Sequence, residues 1–368
     1  MSIPSGHASP RRAAPPVEPQ QYAPGVPSSN MGDNPRHRYN ELNAMDVSGT
    51  IKVTEVAPVA NEVYRLLREV HPQAPLEALA QAFMDLERLF DGNLNGYCAC
   101  DTLYHDRQHT LDVALAMARL INARERVTPT AAQLGARRSE LGVIAALFHD
   151  SGYIRKTGDR RHRNGAEYTR VHVSRSAQFL QRYLPLVGFE NHAADTARIV
   201  HFTGYEIPLD QIKVPDPALR QVGHLLGTAD LMAQMADRCY LEKCRDRLYP
   251  EFVIGGVAQQ RSPDGKGFLY ASPEDLLRKT PQFAQGEFKR RLDGHFGRVH
   301  ESIRELFDGK HPYQDAIVSH VKHADTMAKS DDFRALRRHA PATDGEQFMP
   351  TLANYLPEDY PRGHSAAG

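Results

Sequence analysis

The hydrophobic residues of this chain recur at intervals of three and four from about residue 61 to about residue 330. Two early stretches, "NEVYRLLREV" and "LEALAQAFMDLERLF", show the pattern in the set Val63, Leu66, Leu67, Leu79, Phe83, Leu86 and Leu89. This spacing gathers apolar side chains on one face of an α-helix. The pattern therefore predicts helices at the start of this region.

The same periodicity continues along the region and is interrupted by residues that favour turns. Pro129, Pro185, Pro250 and the segments 215–217 and 255–256 break helical hydrogen bonding. Strand-like runs are rare. The expected helices cover Asp106 to Ala123, Ala131 to about His149, Val173 to Tyr183, Ala193 to His201, Ala218 to about Leu248, Glu287 to Leu306 and Tyr313 to Met327. We therefore expect an all-α fold, a single multi-helix bundle.

Composition divides the chain into three parts. Residues 1–50 hold eight of the 25 prolines and show little apolar periodicity, which is typical of disorder. Apolar density falls again after about residue 330. We predict a disordered proline-rich arm at 1–54, a helical domain at 55–330 and a loosely attached C-terminal tail at 331–368.

The charge composition argues against some classes of partner. Lys plus Arg and Asp plus Glu both total 45, and there is no Trp, so nothing favours nucleic-acid binding. No apolar run has the length of a membrane span or of a signal-peptide core, so we expect a cytoplasmic protein without a membrane partner. The four cysteines predict reduced thiols rather than a disulfide framework. The sequence does not indicate an oligomeric state.

Candidate chemistry first appears in the stretch "TLYHDRQHTLDV". His105 and His109 are four residues apart, so on a helix they project from nearly the same face. A histidine pair of this kind also occurs on solvated helix surfaces. By itself it therefore does not distinguish a reaction centre from a solvent-exposed surface.

Two aspartates in strongly apolar surroundings add to the pair. The apolar run in "LGVIAALFHDSGY" ends abruptly in His149 and Asp150, and Asp230 lies among apolar residues in "LLGTADLMAQMA". A buried carboxylate is costly unless it is paired or binds a metal. Asp150 could also lie in water beyond its helix, and Asp230 could be a hydrogen-bonded core residue. Together, however, these imidazoles and carboxylates form a mixed set that suits Zn, Mn, Fe or Mg.

The motifs "YHDRQH", "FHD" and "TAD", in this order, resemble those of HD-domain metal-dependent phosphohydrolases, and among them the class I cyclic nucleotide phosphodiesterases. The later stretch "DRLYPEFVIGG" adds to the resemblance, which covers roughly residues 98–256. It implies an HD-type helical domain with two divalent metal ions. The implied metal ligands are His109, His149, Asp150 and Asp230. His105 is the implied general acid.

The sequence departs from the family pattern at two points. Asp106 replaces an asparagine after His105, and a further His-Pro-Gly motif after His149 is absent. His172, four residues before Ser176, resembles a histidine of bacterial HD proteins, so we expect it near the second ion. His201 is an alternative candidate for that position.

The resemblance also implies residues that bind a substrate. The family's purine-binding glutamine is expected some fifty residues after Asp230, where Gln282, Gln285 and Phe288 are the candidates, and Tyr104 is a further one. The loop 151–171 carries Arg155, Lys156, Arg160, Arg161, Arg163 and Arg170. These charges could attract a phosphate or could form a solvated loop.

The implied function is metal-dependent hydrolysis of a phosphodiester, with a 3′,5′-cyclic nucleotide as the expected substrate and a 5′-monophosphate as the product. Water made acidic by two divalent ions would attack phosphorus, and His105 would protonate the leaving oxygen. The alternatives are a nucleotide phosphomonoesterase of the same superfamily and a di-iron oxygenase. From a different class comes a non-catalytic regulatory domain in which the metal only stabilises the helices.

Overall fold

The computed structural model describes residues 41–262, 265 and 267–361. In these ranges the regular elements are all helical, and β-pairing is limited to isolated bridges. This confirms the predicted all-α class. Among the described helices, none combines the length and the apolar character needed to cross a membrane.

The α-helices follow one another with short connections and 3₁₀ turns. In chain order they are α1 (Val56–Val70), α2 (Glu77–Phe90), α3 (Arg107–Val127), α4 (Gly135–Phe148), α5 (His172–Tyr183), α6 (Ala193–Ile199), α7 (Pro217–Ala236), α8 (Tyr240–Lys243), α9 (Tyr249–Ile254), α10 (Pro273–Glu287) and α11 (Pro312–Ser330). A π-helical turn at Cys244–Leu248 joins α8 to α9.

Helix α3 is the central element of the bundle. It packs against α1, α4 and α7, and its residues from Gln108 to Ala123 are buried on every side. A helix buried around its whole circumference lies in the interior of a domain, where its polar side chains need partners from neighbouring elements. Because α3 begins with the segment that carries His109, this packing places the first candidate ligand inside the bundle.

Some helix boundaries differ from the prediction. The helix expected from Ala218 to Leu248 ends at Ala236, since Asp237 leaves the helical conformation and accepts a hydrogen bond from the backbone N–H of Cys239 at 2.7 Å. The helix expected from Glu287 to Leu306 is a π-helical segment followed by a 3₁₀ helix, separated where Arg298 adopts a left-handed conformation. Helix α10 was not predicted because Pro281 lies within it.

The predicted disordered arm lies only partly within the described residues. Residues 1–40 lie outside them, whereas residues 41–54 pack against the domain. Asp46 is buried, pairs with Arg119 at 2.7 Å, and accepts hydrogen bonds from the backbone N–H groups of Thr50 and Ile51. The buried guanidinium of Arg119 needs this carboxylate, so residues up to 54 belong to the folded unit.

The C-terminal residues are also attached more firmly than predicted. The carbonyl of His339 accepts from Nδ2 of Asn43 at 3.0 Å, and that of Tyr355 accepts from Nε2 of Gln259 at 2.8 Å. The ring of Tyr360 is buried. These contacts use backbone carbonyls and one aromatic ring, so the low apolar density of the segment gave no sign of them.

Candidate metal centre

Three helices bring two imidazoles and two carboxylates together inside the bundle. His109 lies in the first turn of α3, His149 and Asp150 follow α4, and Asp230 lies in α7. Nε2 of His109 is 3.5 Å from Oδ2 of Asp150 and 3.3 Å from Oδ1 of Asp230. Nε2 of His149 is 3.1 and 3.6 Å from the same two oxygens. The structure thus brings together the four residues that the sequence predicted as metal ligands.

Local hydrogen bonds orient the two histidines of this cluster. The Asp106 side chain accepts from the backbone N–H of His109 at 2.9 Å and so begins α3 immediately before it. At the end of α4, Nδ1 of His149 donates to the carbonyl of Ala146 at 2.7 Å. Its Nε2 is buried, with no hydrogen-bond partner among the described residues. A buried nitrogen oriented in this way is a typical metal ligand.

The spacing of the donor atoms fits a metal ion. Nitrogen and oxygen ligands bind divalent metals at about 2.1 Å, which puts neighbouring ligand atoms about 3 Å apart. The imidazole–carboxylate separations given above are slightly longer than this. Ligand atoms of His109, His149 and Asp150 all lie within 4.8 Å of one another, and all three residues are buried. These separations are compatible with one divalent ion held between the side chains.

Electrostatics in the cluster also favour a cation. Burial lowers the pKa of His109, but Asp150 and Asp230 outweigh it and raise that pKa to about 9. The same carboxylates overcome burial to raise the pKa of His149 well above its ordinary value. Burial raises the pKa of both carboxyls, yet the histidines hold the pKa of Asp150 and Asp230 below the usual range. Two ionised carboxylates in an interior need positive charge, which protons or a metal ion can provide.

Asp150 has a further nitrogen on its other side. Its Oδ1 lies 3.6 Å from Nε2 of His172, the first residue of α5. Nδ1 of His172 donates to the carbonyl of Thr169 at 2.7 Å, which leaves Nε2 for the site. Burial lowers the pKa of His172 and so favours the neutral imidazole that binds metals. The structure therefore places His172, one of the two predicted second-ion residues, beside the cluster.

The segment after Asp150 packs tightly against the start of α5. A Cβ on Gly152 would lie 1.8 Å from the carbonyl oxygen of His172, so the approach is possible only for glycine. The backbone N–H of Gly152 donates to Oγ of Ser176 at 2.8 Å, and its carbonyl accepts from Nε of Arg175 at 2.6 Å. These contacts set the separation between Asp150 and His172.

His105 lies at the edge of the cluster and is paired with a carboxylate. Its Nδ1 is 2.5 Å from Oε2 of the fully buried Glu251, whose other oxygen accepts from the backbone N–H of Tyr104 at 2.6 Å. The imidazole stacks on the ring of Tyr153 at 4.2 Å, and Tyr153 stacks in turn on His172 at 4.4 Å. A proton on Nδ1 of His105 is bound by a buried carboxylate, a charge-assisted bond that leaves Nε2 for other partners.

The cluster forms part of the wall of a cavity of about 550 Å³. His105, His109, Asp150, His172 and Asp230 all line it. Much of the remaining wall is apolar and includes Leu231, Leu248, Phe252, Leu276 and Phe283. A cavity of this size and character accommodates a small organic molecule.

The predicted purine-binding residues lie away from the cavity. Gln282 and Gln285 are exposed and are not part of its wall, and Phe288 packs against His300 with ring centroids 5.8 Å apart. Helix α10 instead turns the face with Thr280 toward the cavity, together with the residues one turn on either side. This helix therefore lines the cavity with residues other than the predicted ones.

Two other predicted residues also lie outside the wall. His201 lines a separate recess together with Gln178 and Arg198, and so is not brought to the cluster. Tyr104 is buried behind the two histidines, with its ring centroid 5.7 Å from that of His109. We therefore assign neither residue a direct role at the site.

Several residues in or behind the cavity wall had no predicted role. Glu251 belongs to the stretch "YPEF" that contributed to the family resemblance, so its signal was present, but only the fold shows that it pairs with His105. Tyr153 and Gln234 closely follow the "FHD" and "TAD" motifs and Gln260 lies in a separate segment, but nothing in the sequence assigned a role to any of the three. Their convergence on one cavity is a property of the tertiary structure.

Comparison of the chain with protein-family models, with curated proteins and with solved structures gave no match. A function must therefore be inferred from the residues of the cavity and their geometry.

Proposed function

We propose that this chain is a metal-dependent phosphohydrolase of the HD type that hydrolyses a phosphodiester. Its expected substrate is a 3′,5′-cyclic nucleotide, which would yield a 5′-monophosphate. The observation that carries the proposal is His105, which lies on the cavity wall beside the buried cluster and is paired from behind with the fully buried Glu251. The cluster alone would suit many metalloproteins. A histidine held by a buried carboxylate adds a proton donor, which a phosphodiesterase needs.

The chain offers enough donors for two divalent ions. His109, His149, Asp150 and Asp230 would hold one ion, and Asp150 with His172 would contribute to a second. Such ions, when bound, lower the pKa of water and offset charge on phosphoryl oxygens. The protein's own part is to orient these ligands through the Nδ1 hydrogen bonds of His149 and His172.

His105 would provide the proton for the leaving group. When water adds to phosphorus and the ester P–O bond breaks, the departing alkoxide is a strong base and needs a proton. Nε2 of His105 would donate it. Glu251 would stabilise the imidazolium before the transfer, and the stacked ring of Tyr153 would keep the imidazole in place.

The apolar wall would bind the organic part of the substrate. Phe252, Leu231 and Phe283 offer surfaces against which a base or another ring could pack. Gln234 also lines the cavity and follows Asp230 by one helical turn, so it lies on the metal side. We expect it to take the hydrogen-bonding role that the sequence assigned to Gln282 or Gln285.

Product analysis with defined metals tests the proposal. Metal-depleted protein would be incubated with cyclic AMP or cyclic GMP after addition of Mn²⁺, Mg²⁺, Zn²⁺ or Fe²⁺, and the products separated by chromatography. We expect metal-dependent 5′-monophosphate from the wild type. The His105→Ala variant should lose about 100-fold or more of this activity because its general acid is missing. The His323→Ala variant is a matched control, since His323 is an exposed residue of α11.

Other outcomes would distinguish the alternatives. Release of inorganic phosphate from nucleoside monophosphates, without diester cleavage, would indicate a phosphomonoesterase and remove the role of His105. Folded, metal-loaded protein that is stabilised by the ion but hydrolyses no phosphate ester would contradict the proposal in favour of a regulatory domain.

A further inference from the structure

The cavity wall carries charged side chains beyond the metal cluster. They are Arg170, Glu206 and Lys279. A charge on such a wall is balanced by the protein, by a ligand or by water, and the neighbours of each side chain show which. Arg170 is exposed, whereas Glu206 and Lys279 are half-buried.

Glu206 and Lys279 already have partners in the protein. Glu206 accepts hydrogen bonds from the backbone N–H groups of Val173 at 2.8 Å and Ser174 at 3.1 Å, at the start of α5. Nζ of Lys279 lies 2.8 Å from Oδ2 of Asp275 and also donates to a backbone carbonyl at 2.7 Å. Lys279 is thus neutralised by Asp275, and the carboxylate of Glu206 is bound by the donors at the start of α5.

Arg170 differs from Lys279, the other cation of the wall, because its protein partner is neutral. With the amide of Gln260 oriented so that its oxygen faces the guanidinium, this oxygen accepts from Nε of Arg170 at 3.1 Å and from Nη2 at 2.5 Å. Within the described ranges, no carboxylate forms an ion pair with Arg170. A guanidinium has five N–H donors, so several remain after the contact with Gln260. Gln260 holds the side chain in place without neutralising it.

The neighbouring arginines show that this arrangement is specific to one position. Arg155 is paired with Asp101 at 2.7 Å. Arg175 donates to the carbonyl of Gly152 and stacks on an aromatic ring. Neither lines the cavity, whereas Arg170 does. Of the basic residues in 151–171, Arg170 is therefore the one placed to meet a ligand in this cavity.

Three features of the cavity thus define the ligand it fits. The metal cluster and His105 suit the scissile phosphate, the apolar wall suits an uncharged organic part, and Arg170 adds a fixed positive charge. A guanidinium recognises phosphate and carboxylate through paired N–H donors, with geometry that a single metal site does not provide. The cavity volume of about 550 Å³ leaves room for all three parts of such a molecule.

We infer that the substrate of this site carries a second anionic group, a phosphate or a carboxylate, which Arg170 binds while the scissile phosphate lies at the metal cluster. This inference rests on the proposed function for the identity of the cluster and narrows its substrate. A simple 3′,5′-cyclic nucleotide carries one phosphate, so the preferred phosphodiester would be one with a second anionic group beside the scissile phosphate. Arg170 would be a specificity-determining residue, and Gln260 would be the residue that positions it.

Binding of matched alkyl phosphates tests this inference without requiring turnover. The probes are linear alkyl monophosphates of increasing chain length whose far end carries a hydroxyl, a carboxylate or a phosphate. Their affinities for Mn²⁺-treated protein would be measured by isothermal titration calorimetry. At the chain length that spans the cavity, we expect an anionic end to improve affinity about ten-fold over the hydroxyl. The comparison of carboxylate with phosphate then shows which group is preferred.

Variants of Arg170 test whether the preference for an anionic end depends on this residue. Arg170→Gln should remove the preference for the anionic end and leave affinity for the hydroxyl series unchanged, whereas Arg170→Lys should retain part of it. Arg160→Gln is the control, because Arg160 is an exposed basic residue of the same loop and does not line the cavity. It should behave like the wild type.

The outcomes separate this inference from the proposed function. A preference that Arg170→Gln abolishes supports the inference even if no phosphate ester is hydrolysed, in which case only the proposed function fails. Equal affinities for all three series in the wild type would overturn the inference, even if phosphodiesters are cleaved. The inference would also be overturned if Arg170→Gln lost affinity equally for probes with charged and uncharged ends, or if no probe bound.

Discussion

The partner of Nδ1 distinguishes the roles of the histidines at the site. In His149 and His172 this nitrogen donates to a backbone carbonyl, which leaves Nε2 available to a metal. In His105 it faces the buried carboxylate of Glu251, which fixes the ring and leaves Nε2 directed to other partners. Similar rings are thereby directed to different chemistry, two as ligands and one as a proton donor.

Replacing Glu251 by glutamine should impair catalysis in a way that depends on the leaving group. The imidazolium of His105 would lose its counter-charge, so kcat for a substrate with an alkoxide leaving group should fall about ten-fold to 100-fold. A p-nitrophenyl diester, whose leaving group departs without a proton, should be hydrolysed at nearly the wild-type rate. Steady-state kinetics on both substrates measures this difference.

His105→Ala should show the same dependence on the leaving group, with a larger loss of kcat for the substrate with an alkoxide leaving group. Equal losses on both substrates would mean that Glu251 acts only by holding the fold together, and would contradict its assignment as the partner of a general acid. The spectroscopic control is the circular dichroism of each variant, which should match that of the wild type.

A second buried carboxyl, away from the cluster, predicts a dependence of stability on pH. Burial raises the pKa of Asp112 to about 7, and its Oδ1 has no hydrogen-bond partner among the described residues. Because the folded-state pKa is above the ordinary value of 3.8, this carboxyl opposes folding increasingly as pH rises from about 4 to about 7. Asp112→Asn should therefore raise the melting temperature by several degrees at pH 8 and by much less at pH 5.

Thermal unfolding of wild type and variant at the two pH values measures the effect. Asp308→Asn is a suitable control, because Asp308 is exposed. A destabilisation of Asp112→Asn that is equal at both pH values would show that the ionised carboxylate is favourable in the fold.

Residues of the site were predictable from the sequence where they stand in distinctive local contexts. His149 and Asp150 end an apolar run, and His105 and His109 share a helical spacing. The roles of Glu251 and Arg170 were harder to predict from the sequence. Each depends on a partner distant in the chain, His105 for Glu251 and Gln260 for Arg170. Pairing across the bundle is determined by packing, which one sequence does not reveal.

At the scale of elements, the junction of α4 with α5 is the most sensitive part of the site. Gly152→Ala would place a methyl group against the carbonyl of His172 and force α5 away from Asp150. We expect its affinity for Mn²⁺, measured by competition with a chelating dye, to fall by roughly ten-fold or more. Gly158→Ala is the matched control, since a Cβ there has no neighbour within 4 Å. Unchanged affinity in Gly152→Ala would show that this junction does not set the ligand geometry.

Helix prediction succeeded where apolar spacing was continuous and failed where polar interactions decide the backbone. Helices α3, α5 and α11 lie close to their predicted positions. The end of α7 depends on the hydrogen bond between Asp237 and Cys239, and α10 tolerates an internal proline. Neither feature is visible in the hydrophobic pattern. Contacts of the residues beyond 330 were missed for the same reason, since they use backbone carbonyls.

For the whole molecule, the cluster joins the central helix to two of its neighbours. Ligands come from α3, from the end of α4 and from α7, so an ion bound there would stabilise the folded state and not the unfolded chain. At a metal concentration 100 times the dissociation constant, this stabilisation is about 2.7 kcal/mol. The melting temperature of metal-depleted protein should rise by several degrees on addition of Mn²⁺.

Two variants test where the ion that raises the melting temperature binds. His149→Ala should show little or no metal-dependent shift, whereas His201→Ala should behave like the wild type because His201 lies in a separate recess. A full shift in His149→Ala would mean that the ion binds elsewhere.

The most direct test of the central claim is the anomalous diffraction of crystals grown with Mn²⁺. The account predicts a strong anomalous peak inside the bundle, about 2.1 Å from Nε2 of His109 and of His149 and from oxygens of Asp150 and Asp230. A weaker second peak between Asp150 and His172 would support a two-ion site. Peaks only at the protein surface, with these four side chains unchanged and without an ion, would contradict the account.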